Sequence, residues 1–367
     1  MKVVFASGGS GGPVTPLIAI YEELKNRDAQ LEAIWIGTST GPEKNMVEQF
    51  KIDFRVISSG KLRRYFSIMN FIDPFFVFLG FLQSIFILRK FKPDVVLTAG
   101  SFVAVPVAYA AKFLKIPIFV HQQDLQKGLA NKLMSKKATV VTVSLRDSLG
   151  DFDVHKTYHV GNPVRKDIFT GSKEKAYKLF KLDPNLSTVL VLGGGQGAEI
   201  INQILLESVG KITENFQVLH LTGKGKGIKS QFADYYDRQT CKIIEARYHD
   251  FEFLHQEIFD AYAVADLVVS RSGFATISEL AVLGKPAVLI PIPGHQELNA
   301  QFLGKYNAAK VIRQEKLNKE TFTQVVVSLL GNPSDLQGLS RNISQVMDKD
   351  AAKKYVDLIT KVLEGNK

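Results

Sequence analysis

Short apolar runs alternate with stretches of helical spacing along almost the whole chain. Val3-Val4-Phe5, Val95-Val96-Leu97 and Val189-Leu190-Val191-Leu192 are continuously apolar, as strands buried on both faces of a parallel sheet should be. In the first half, strands are predicted near 2–6, 32–37, 54–58, 94–98, 117–120 and 138–143. In the second half they are predicted near 187–192, 216–221, 241–245, 267–270, 286–290 and 309–312. Helices fill most of the gaps. One is expected to take Thr15 as N-cap and Pro16 as its first helical residue, and to run to about Lys25. The alternation is that of βαβ units. The predicted fold is therefore α/β, with two doubly wound, Rossmann-like parallel-sheet domains facing a cleft.

Gly161-Asn162-Pro163 interrupts the pattern and marks a joint, giving expected domains over 1–163 and 164–345. A charged stretch at roughly 349–364 has helical spacing and no strand after it. Each half opens with a strand that turns on glycines into a helix. The first turn is Ser7-Gly8-Gly9-Ser10-Gly11-Gly12 and the second Gly193-Gly194-Gly195-Gln196-Gly197. Such turns present backbone N–H groups at the positive end of a helix dipole, a setting for phosphate or another oxyanion. They serve equally to let a helix pack closely on the sheet.

The segment 66–91 breaks the alternation. From Pro74 to Leu88 nearly every residue is apolar, with Arg63 and Arg64 before it and Arg89, Lys90 and Lys92 after it. About 15 residues of helix span roughly 22 Å, short of the roughly 30 Å hydrocarbon core, and Asp73-Pro74 is expected to block extension. A transmembrane span is therefore not expected. Two readings remain and are compatible: a crossover helix in the core, or one whose outer face dips into a bilayer among basic anchors.

Composition narrows the partners. The 367 residues are 46% hydrophobic and 22% charged, as in soluble two-domain proteins. The lone Cys241 excludes an internal disulfide framework. Met1-Lys2 leads straight into a strand-like run, with no signal-peptide pattern, so a cytoplasmic setting is expected. The net charge of +10 suits an anionic membrane surface or a pyrophosphate substrate. No nucleic-acid module signature accompanies it, so no nucleic-acid partner is expected.

Two further stretches carry candidate chemistry. Residues 266–279 read as strand, Ser-Arg-Ser-Gly turn and helix. Glu279, in that helix's early turns, has two oxygens able to accept both hydroxyls of a ribose; a carboxylate that merely complements the helix dipole is the plainer alternative. Gly294-His295-Gln296-Glu297-Leu298-Asn299-Ala300 is a polar loop entering a helix, and such loops after strand C-termini are where open α/β sheets bind ligands.

Taken in order, GGSGG…TP, HQQD…GLANK, VGNPVR, GGGQGA…N, SRSG…SE and HQELNA resemble the motifs of the bacterial lipid-II-forming N-acetylglucosaminyltransferase family. The resemblance covers Val3 to about Ile312. It implies a GT-B fold and inverting, metal-independent transfer without a cofactor at the cytoplasmic face of the membrane. The implied donor is UDP-N-acetylglucosamine and the implied acceptor the 4-hydroxyl of undecaprenyl-pyrophosphoryl-MurNAc-pentapeptide. The family also implies that a C-terminal helix, about 346–367, returns to the first domain, and that 66–91 contacts an anionic membrane surface.

Carried over residue by residue, the resemblance assigns Ser10, Gly11 and Gly12 to the sugar and acceptor-diphosphate side, and Asn131 is among the candidate substrate-binding residues. Arg165 would face the donor's phosphates or uridine. Gly194, Gly195 and Gln196, with Phe274, Ala275, Thr276, Ser278 and Glu279, would line the nucleotide, its uracil near Leu254 and His255. Gln296 and Asn299 would hold sugar hydroxyls. Departures fall at the chemistry. Pro13 stands where the family has histidine, Gly195 where it has serine, and His121-Gln122-Gln123-Asp124 replaces HEQN. With the loop histidine gone, Asp124 is the candidate general base, with His121 orienting it or the sugar, or itself the base; a strand-end histidine satisfied by backbone is the plainer reading of His121. Three alternatives are a transferase for another lipid acceptor, a UDP-sugar epimerase of the same fold, and a non-catalytic UDP-sugar-binding relative.

Overall fold

The computed structural model describes residues 1–60, 69–193 and 198–365. The chain separates into two compact units, Met1–Arg165 with Asp348–Lys367, and Lys166–Met347.

In the first unit the strands are β1 (Lys2–Ala6), β2 (Glu32–Gly37), β3 (Asp53–Val56), β4 (Val95–Thr98), β5 (Ile118–Gln122), β6 (Val140–Val143) and β7 (Thr157–His159). Its helices are α1 (Thr15–Arg27), α2 (Glu43–Glu48), α3 (Met69–Phe91), α4 (Ala104–Phe113) and α5 (Leu129–Met134). The second unit holds β8 (Thr188–Leu192), β9 (Gln217–Leu221), β10 (Tyr248–Phe251), β11 (Leu267–Ser270), β12 (Ala287–Leu289) and β13 (Lys310–Val311). Its helices are α6 (Lys173–Leu179), α7 (Glu199–Ile212), α8 (Phe232–Tyr235), α9 (Arg238–Arg247), α10 (Glu257–Val264), α11 (Phe274–Leu283), α12 (His295–Lys305), α13 (Lys319–Leu330) and α14 (Pro333–Ser344). The last helix, α15 (Ala351–Gly365), belongs to the first unit.

Among the described residues every strand pairing is parallel, and the two sheets repeat one order. The first runs β3-β2-β1-β4-β5-β6-β7 and the second β10-β9-β8-β11-β12-β13. In each the order reverses beside the first strand, between β1 and β4 and between β8 and β11, the switch point at which doubly wound sheets bind ligands.

The continuous apolar runs are explained by burial on both faces. Val3 and Phe5 pack with Leu17 and Ile20 of α1, whereas Val4 and Ala6 pack with Leu88 of α3 and Val107 of α4. Tyr355, Val356 and Ile359 of α15 join the Val3–Phe5 side and anchor the chain's end in the first unit. Each such side chain contributes roughly 1.5–3 kcal/mol when fully buried.

Four expectations are corrected. The run 241–245 lies in helix α9, whose N-cap Asp237 accepts from the Gln239 and Thr240 amides; the strand follows it as β10. Edge strand β7 was not anticipated, because Thr157-Tyr158-His159 is short and polar. Thr15 is the first helical residue rather than the cap, and its hydroxyl donates to the Gly12 carbonyl at 3.1 Å. Finally, α3 runs through Pro74 for 23 residues, so it is long and apolar enough to cross a bilayer by length and composition. It instead lies along the first unit, with Asp73, Ser84 and Leu88 buried and Phe81 and Ile85 packed on the core.

Candidate active site

Three loops meet at the C-terminal edge of the first sheet. The glycine loop after β1 is fastened at three successive residues. Trp35 Nε1 donates to the Ser7 carbonyl at 3.0 Å, Ser101 Oγ to the Gly8 carbonyl at 2.7 Å, and the Gly9 amide to Glu43 Oε2 at 3.0 Å. Gly9 sits at φ +79°, a conformation that favours glycine. Beyond these ties Ser10 is exposed and Gly11 and Gly12 are half-buried, so the part assigned to the acceptor is the accessible part. The Gly11 carbonyl accepts from the Val14 and Thr15 amides and leads into α1. The loop after β4 brings Ser101 to this site at φ +90°. A non-glycine residue there is strained, and strain of this kind gathers at functional loops. Ser101 and Glu43 escaped the sequence reading, since neither lies in a motif quoted there.

The loop after β5 carries HQQD. His121 is 0% exposed. Its Nδ1 lies 2.9 Å from Thr142 Oγ1, and its Nε2 lies 2.9 Å from Asn162 Oδ1 and 3.1 Å from Ser144 Oγ. Tyr355 of α15 meets the ring edge-on at 5.9 Å. Desolvation by burial drops the imidazole to about 4, against the opposing effect of the hydrogen bond that Asn162 Oδ1 accepts. His121 is thus a neutral strut joining β5, β6, the 160–165 linker and α15. The expectation that it orients a sugar or serves as base is corrected, and its partners are side chains rather than backbone.

Asn131 is also interior. Its Nδ2 donates to Gln122 Oε1 at 2.7 Å and to the His121 carbonyl at 3.0 Å. Gln122 Nε2 in turn donates to the Asp124 and Gln126 carbonyls at 2.7 and 3.0 Å. Asn131 therefore fixes the turn that carries Asp124, a role different from the direct substrate contact expected of it. Its Oδ1 is buried without a hydrogen-bond partner among the described residues. Asp124 itself is half-buried at the strand's end.

Arg165, expected at the donor, is held within the first unit. Its Nε donates to Glu22 Oε1 at 3.2 Å, and its guanidinium lies 5.1 Å from the Phe50 ring centroid. A cation between a carboxylate and an aromatic face is stabilised by both.

In the second unit, Gly194, Gly195 and Gln196 lie outside the described residues. The turn after β11 is described and leads to α11, whose N-cap Gly273 offers no side-chain cap and whose first turn holds no acidic residue. Its leading amides thus meet no carboxylate from the helix's own first turn, and Ala275 and Thr276 are half-buried there. Phe274 is buried in the core, and the Ser278 hydroxyl donates to the Phe274 carbonyl at 2.7 Å. Neither side chain lines the surface as expected; only their backbone remains for a nucleotide. Glu279 lies in the second turn, which removes the reading of a first-turn dipole partner. Tyr262 Oη donates to its Oε2 at 2.8 Å. Burial, and then the Glu279 charge, push the Tyr262 phenol well above its usual range, so it stays a donor.

The turn after β12 is tied to the same place. Ser272 Oγ donates to the Gln296 carbonyl at 2.8 Å, and Asn299 Nδ2 to the Ser272 carbonyl at 3.4 Å. Asn299 is buried, and Gln296 Oε1 accepts from the Ile292 amide at 3.3 Å. The pair expected on sugar hydroxyls therefore clamps two loops together, with the half-buried Gln296 nearer solvent. Arg271 was quoted within its motif but given no role. Its Nη1 donates to the Ile290 carbonyl at 3.0 Å and to Gln314 Oε1 at 3.1 Å, bracing the ends of β11 and β12. Leu254 and His255 lie just beyond β10, where Phe253 packs on the His255 ring at 4.8 Å.

Two Rossmann-like units of one strand order, with a glycine turn after β1 and a poised glutamate beside an uncapped helix in the second, define the GT-B class of nucleotide-sugar enzymes. The glycosyltransferase family 28 N-terminal domain matches residues 3–143, and the family 28 C-terminal domain matches residues 188–355. A relative from Clostridium perfringens (strain SM101 / Type A) is 38% identical over 336 residues, covering 90% of this chain and 90% of its own. It is named UDP-N-acetylglucosamine--N-acetylmuramyl-(pentapeptide) pyrophosphoryl-undecaprenol N-acetylglucosamine transferase. The chain therefore belongs to glycosyltransferase family 28, in the branch formed by these N-acetylglucosamine transferases. The crystal structure of Acinetobacter baumannii MurG superposes with a TM-score of 0.73 at 24% identity, over 98% of this chain and 99% of that one. UDP-GlcNAc 2-epimerase from Neisseria meningitidis superposes at 0.71 with 15% identity, over 98% and 100%. At these identities both likenesses concern the fold alone.

Proposed function

We propose that this chain transfers N-acetylglucosamine from UDP-N-acetylglucosamine to the 4-hydroxyl of undecaprenyl-pyrophosphoryl-MurNAc-pentapeptide, with inversion and without a metal, as a peripheral protein on the cytoplasmic face of the membrane. The observation that carries the reading is the 38% identity, over 90% of the chain, to a transferase of that name. The geometry agrees with it. Tyr262 orients the Glu279 carboxylate, a group suited to ribose hydroxyls, and the start of α11, with no side-chain cap, suits phosphate charge. Residues 194–196 would add amides of the second glycine turn.

In the reaction the acceptor hydroxyl attacks the anomeric carbon as the bond to the UDP oxygen breaks. Charge on the departing diphosphate is met by helix-terminal and loop amides. Asp124 takes the hydroxyl proton. Ser10, Gly11 and Gly12 meet the acceptor's diphosphate. Arg165, held by Glu22, is assigned to the donor's phosphates or uridine.

The lipid acceptor calls for a membrane-facing surface, and α3 offers one. Phe75, Phe78 and Phe86 are 65%, 58% and 71% exposed, and Phe113 at the end of α4 is 63% exposed. Phe81 sits between the helices, its ring 6.3 Å from that of Phe113. Arg89, Lys90 and Lys112, all exposed, lie at the C-terminal ends of α3 and α4. Exposed aromatic rings with basic flanks suit an anionic bilayer.

Incubation with radiolabelled UDP-N-acetylglucosamine and the lipid-linked muramoyl-peptide tests the reading, in buffer with EDTA. Labelled lipid product with a β-linkage is expected. Epimerisation of the donor without lipid would favour an epimerase instead. UDP binding without turnover would favour a non-catalytic relative, and transfer only to a different lipid would relocate the acceptor.

A further inference from the structure

Glu43 begins the short helix α2, yet it is 0% exposed and its carboxyl sits under the first glycine loop. Oε2 accepts from the Gly9 amide at 3.0 Å. Oε1 accepts from the Thr38 amide at 2.7 Å and the Thr38 hydroxyl at 2.5 Å. The Thr38 oxygen accepts in turn from the Gly41 amide at 3.0 Å. The surroundings are shaped around this one carboxyl. A Cβ at Gly8 or Gly41 would collide with it, and one at Gly37 would come within 3.1 Å of Glu43 Cγ. A carboxyl is seldom buried whole unless its oxygens are bonded, and here each oxygen is.

The bond to Gly9 spans 34 residues and crosses from the turn after β2 to the turn after β1. It places an internal carboxyl oxygen in the concavity that a glycine turn makes from its amides. Ser101 and Trp35 hold only carbonyls of this loop. Glu43 holds the amide of Gly9, which with Ser10 is the exposed part of the turn.

We propose that Glu43 is a positioning residue for the acceptor. Its carboxyl fills the first glycine turn at Gly9 and so holds Ser10, Gly11 and Gly12 in their binding arrangement before substrate arrives. The acceptor's diphosphate is then left the amides beyond Gly9. The ligand in this inference rests on the transferase reading above; the geometry does not. Such preorganisation lowers the ordering cost of binding.

Glu43→Gln keeps the shape but replaces one accepting oxygen with an NH2, so it cannot serve both Gly9 and Thr38. Gly8→Ala displaces the carboxyl from the other side while leaving Glu43 in the sequence. Each variant should raise the KM for the lipid-linked acceptor about ten- to hundredfold, the scale of a lost hydrogen bond to a charged group. UDP affinity, measured by calorimetry, should stay within about twofold. Amide hydrogen exchange at Gly9 to Gly12 should accelerate in both variants, a readout that needs no transfer activity. Adding Gly8→Ala to Glu43→Ala should cost little more, because the obstructing carboxyl is gone. Unchanged acceptor KM with unchanged exchange in Glu43→Gln and Gly8→Ala overturns the proposal, as does equal loss of donor and acceptor affinity. If the wild type fails to transfer sugar, the transferase reading falls, and the exchange data alone decide whether Glu43 holds the loop.

Discussion

Tyr262 Oη donates to Glu279 Oε2 at 2.8 Å, linking a buried phenol on α10 to a half-exposed carboxylate on α11. Tyr262 is kept protonated by burial, so this bond orients the carboxylate. Glu279→Ala should weaken UDP binding by about 2–4 kcal/mol, and Tyr262→Phe by about 1–2 kcal/mol, with the fold retained. Calorimetry with UDP and its 2′-deoxy analogue measures both. Undiminished preference for UDP over the deoxy analogue in Glu279→Ala would remove Glu279 from the ribose.

The buried histidines predict an acid-labile fold. His121 and His220 are each lowered to about 4 from 6.5, chiefly by desolvation. Between these values the unfolded chain binds protons that the folded one does not, so stability is full above pH 6.5 and falls as pH drops toward 4. Each contributes on the order of 3 kcal/mol to that loss. Denaturant unfolding at pH 7, 6, 5 and 4 should show the slope, and His121→Ala should flatten it while lowering stability at pH 7. An identical pH slope in the variant would refute the strut.

How far the sequence reaches is seen in particular residues. Strands with two buried faces, such as β1 and β8, announce themselves as apolar runs. Edge strands do not: Tyr248-His249-Asp250-Phe251 is polar because one side of β10 lacks a neighbour, while Ile243-Ile244 mimics a strand inside α9. The first glycine turn is legible because its backbone at Gly9, φ +79°, favours that residue type. What stays hidden is the direction of a side chain. His121, Asn131 and Asn299 look like polar site residues in one dimension, yet all three are buried and hold backbone or other side chains. Glu43 looks like a surface residue opening a helix, and its burial follows only from Gly8, Gly37 and Gly41 converging on it.

Exposure on α3 sharpens the membrane experiment. Phe81 packs on the core and should not be touched. Phe75→Ser, Phe78→Ser and Phe86→Ser together, with or without Phe113→Ser, should leave the melting temperature nearly unchanged and release the protein from anionic vesicles. Wild-type binding should weaken with salt, since attraction to the surface acts over roughly 8–10 Å at physiological ionic strength. Sedimentation with vesicles measures it; folded variants that still pellet would disprove insertion of these rings.

The last prediction concerns the proton. Pro13 has no group to accept it, and His121 is sealed in the core with both ring nitrogens engaged. Asp124 is half-buried at the mouth of β5, on a turn that Gln122 and Asn131 hold by its backbone. That arrangement fixes the backbone that carries the carboxylate, and a general base has to be positioned in this way. Asp124→Asn should therefore lower kcat by about 10²–10⁴ with UDP affinity within about twofold. Asn131→Ala should give a smaller fall in kcat by loosening the same turn. His121→Ala should lose stability more than turnover per folded molecule. Near-normal kcat in Asp124→Asn would exclude it as the base, and a kcat loss in folded His121→Ala as deep as that of Asp124→Asn would restore the histidine to the chemistry.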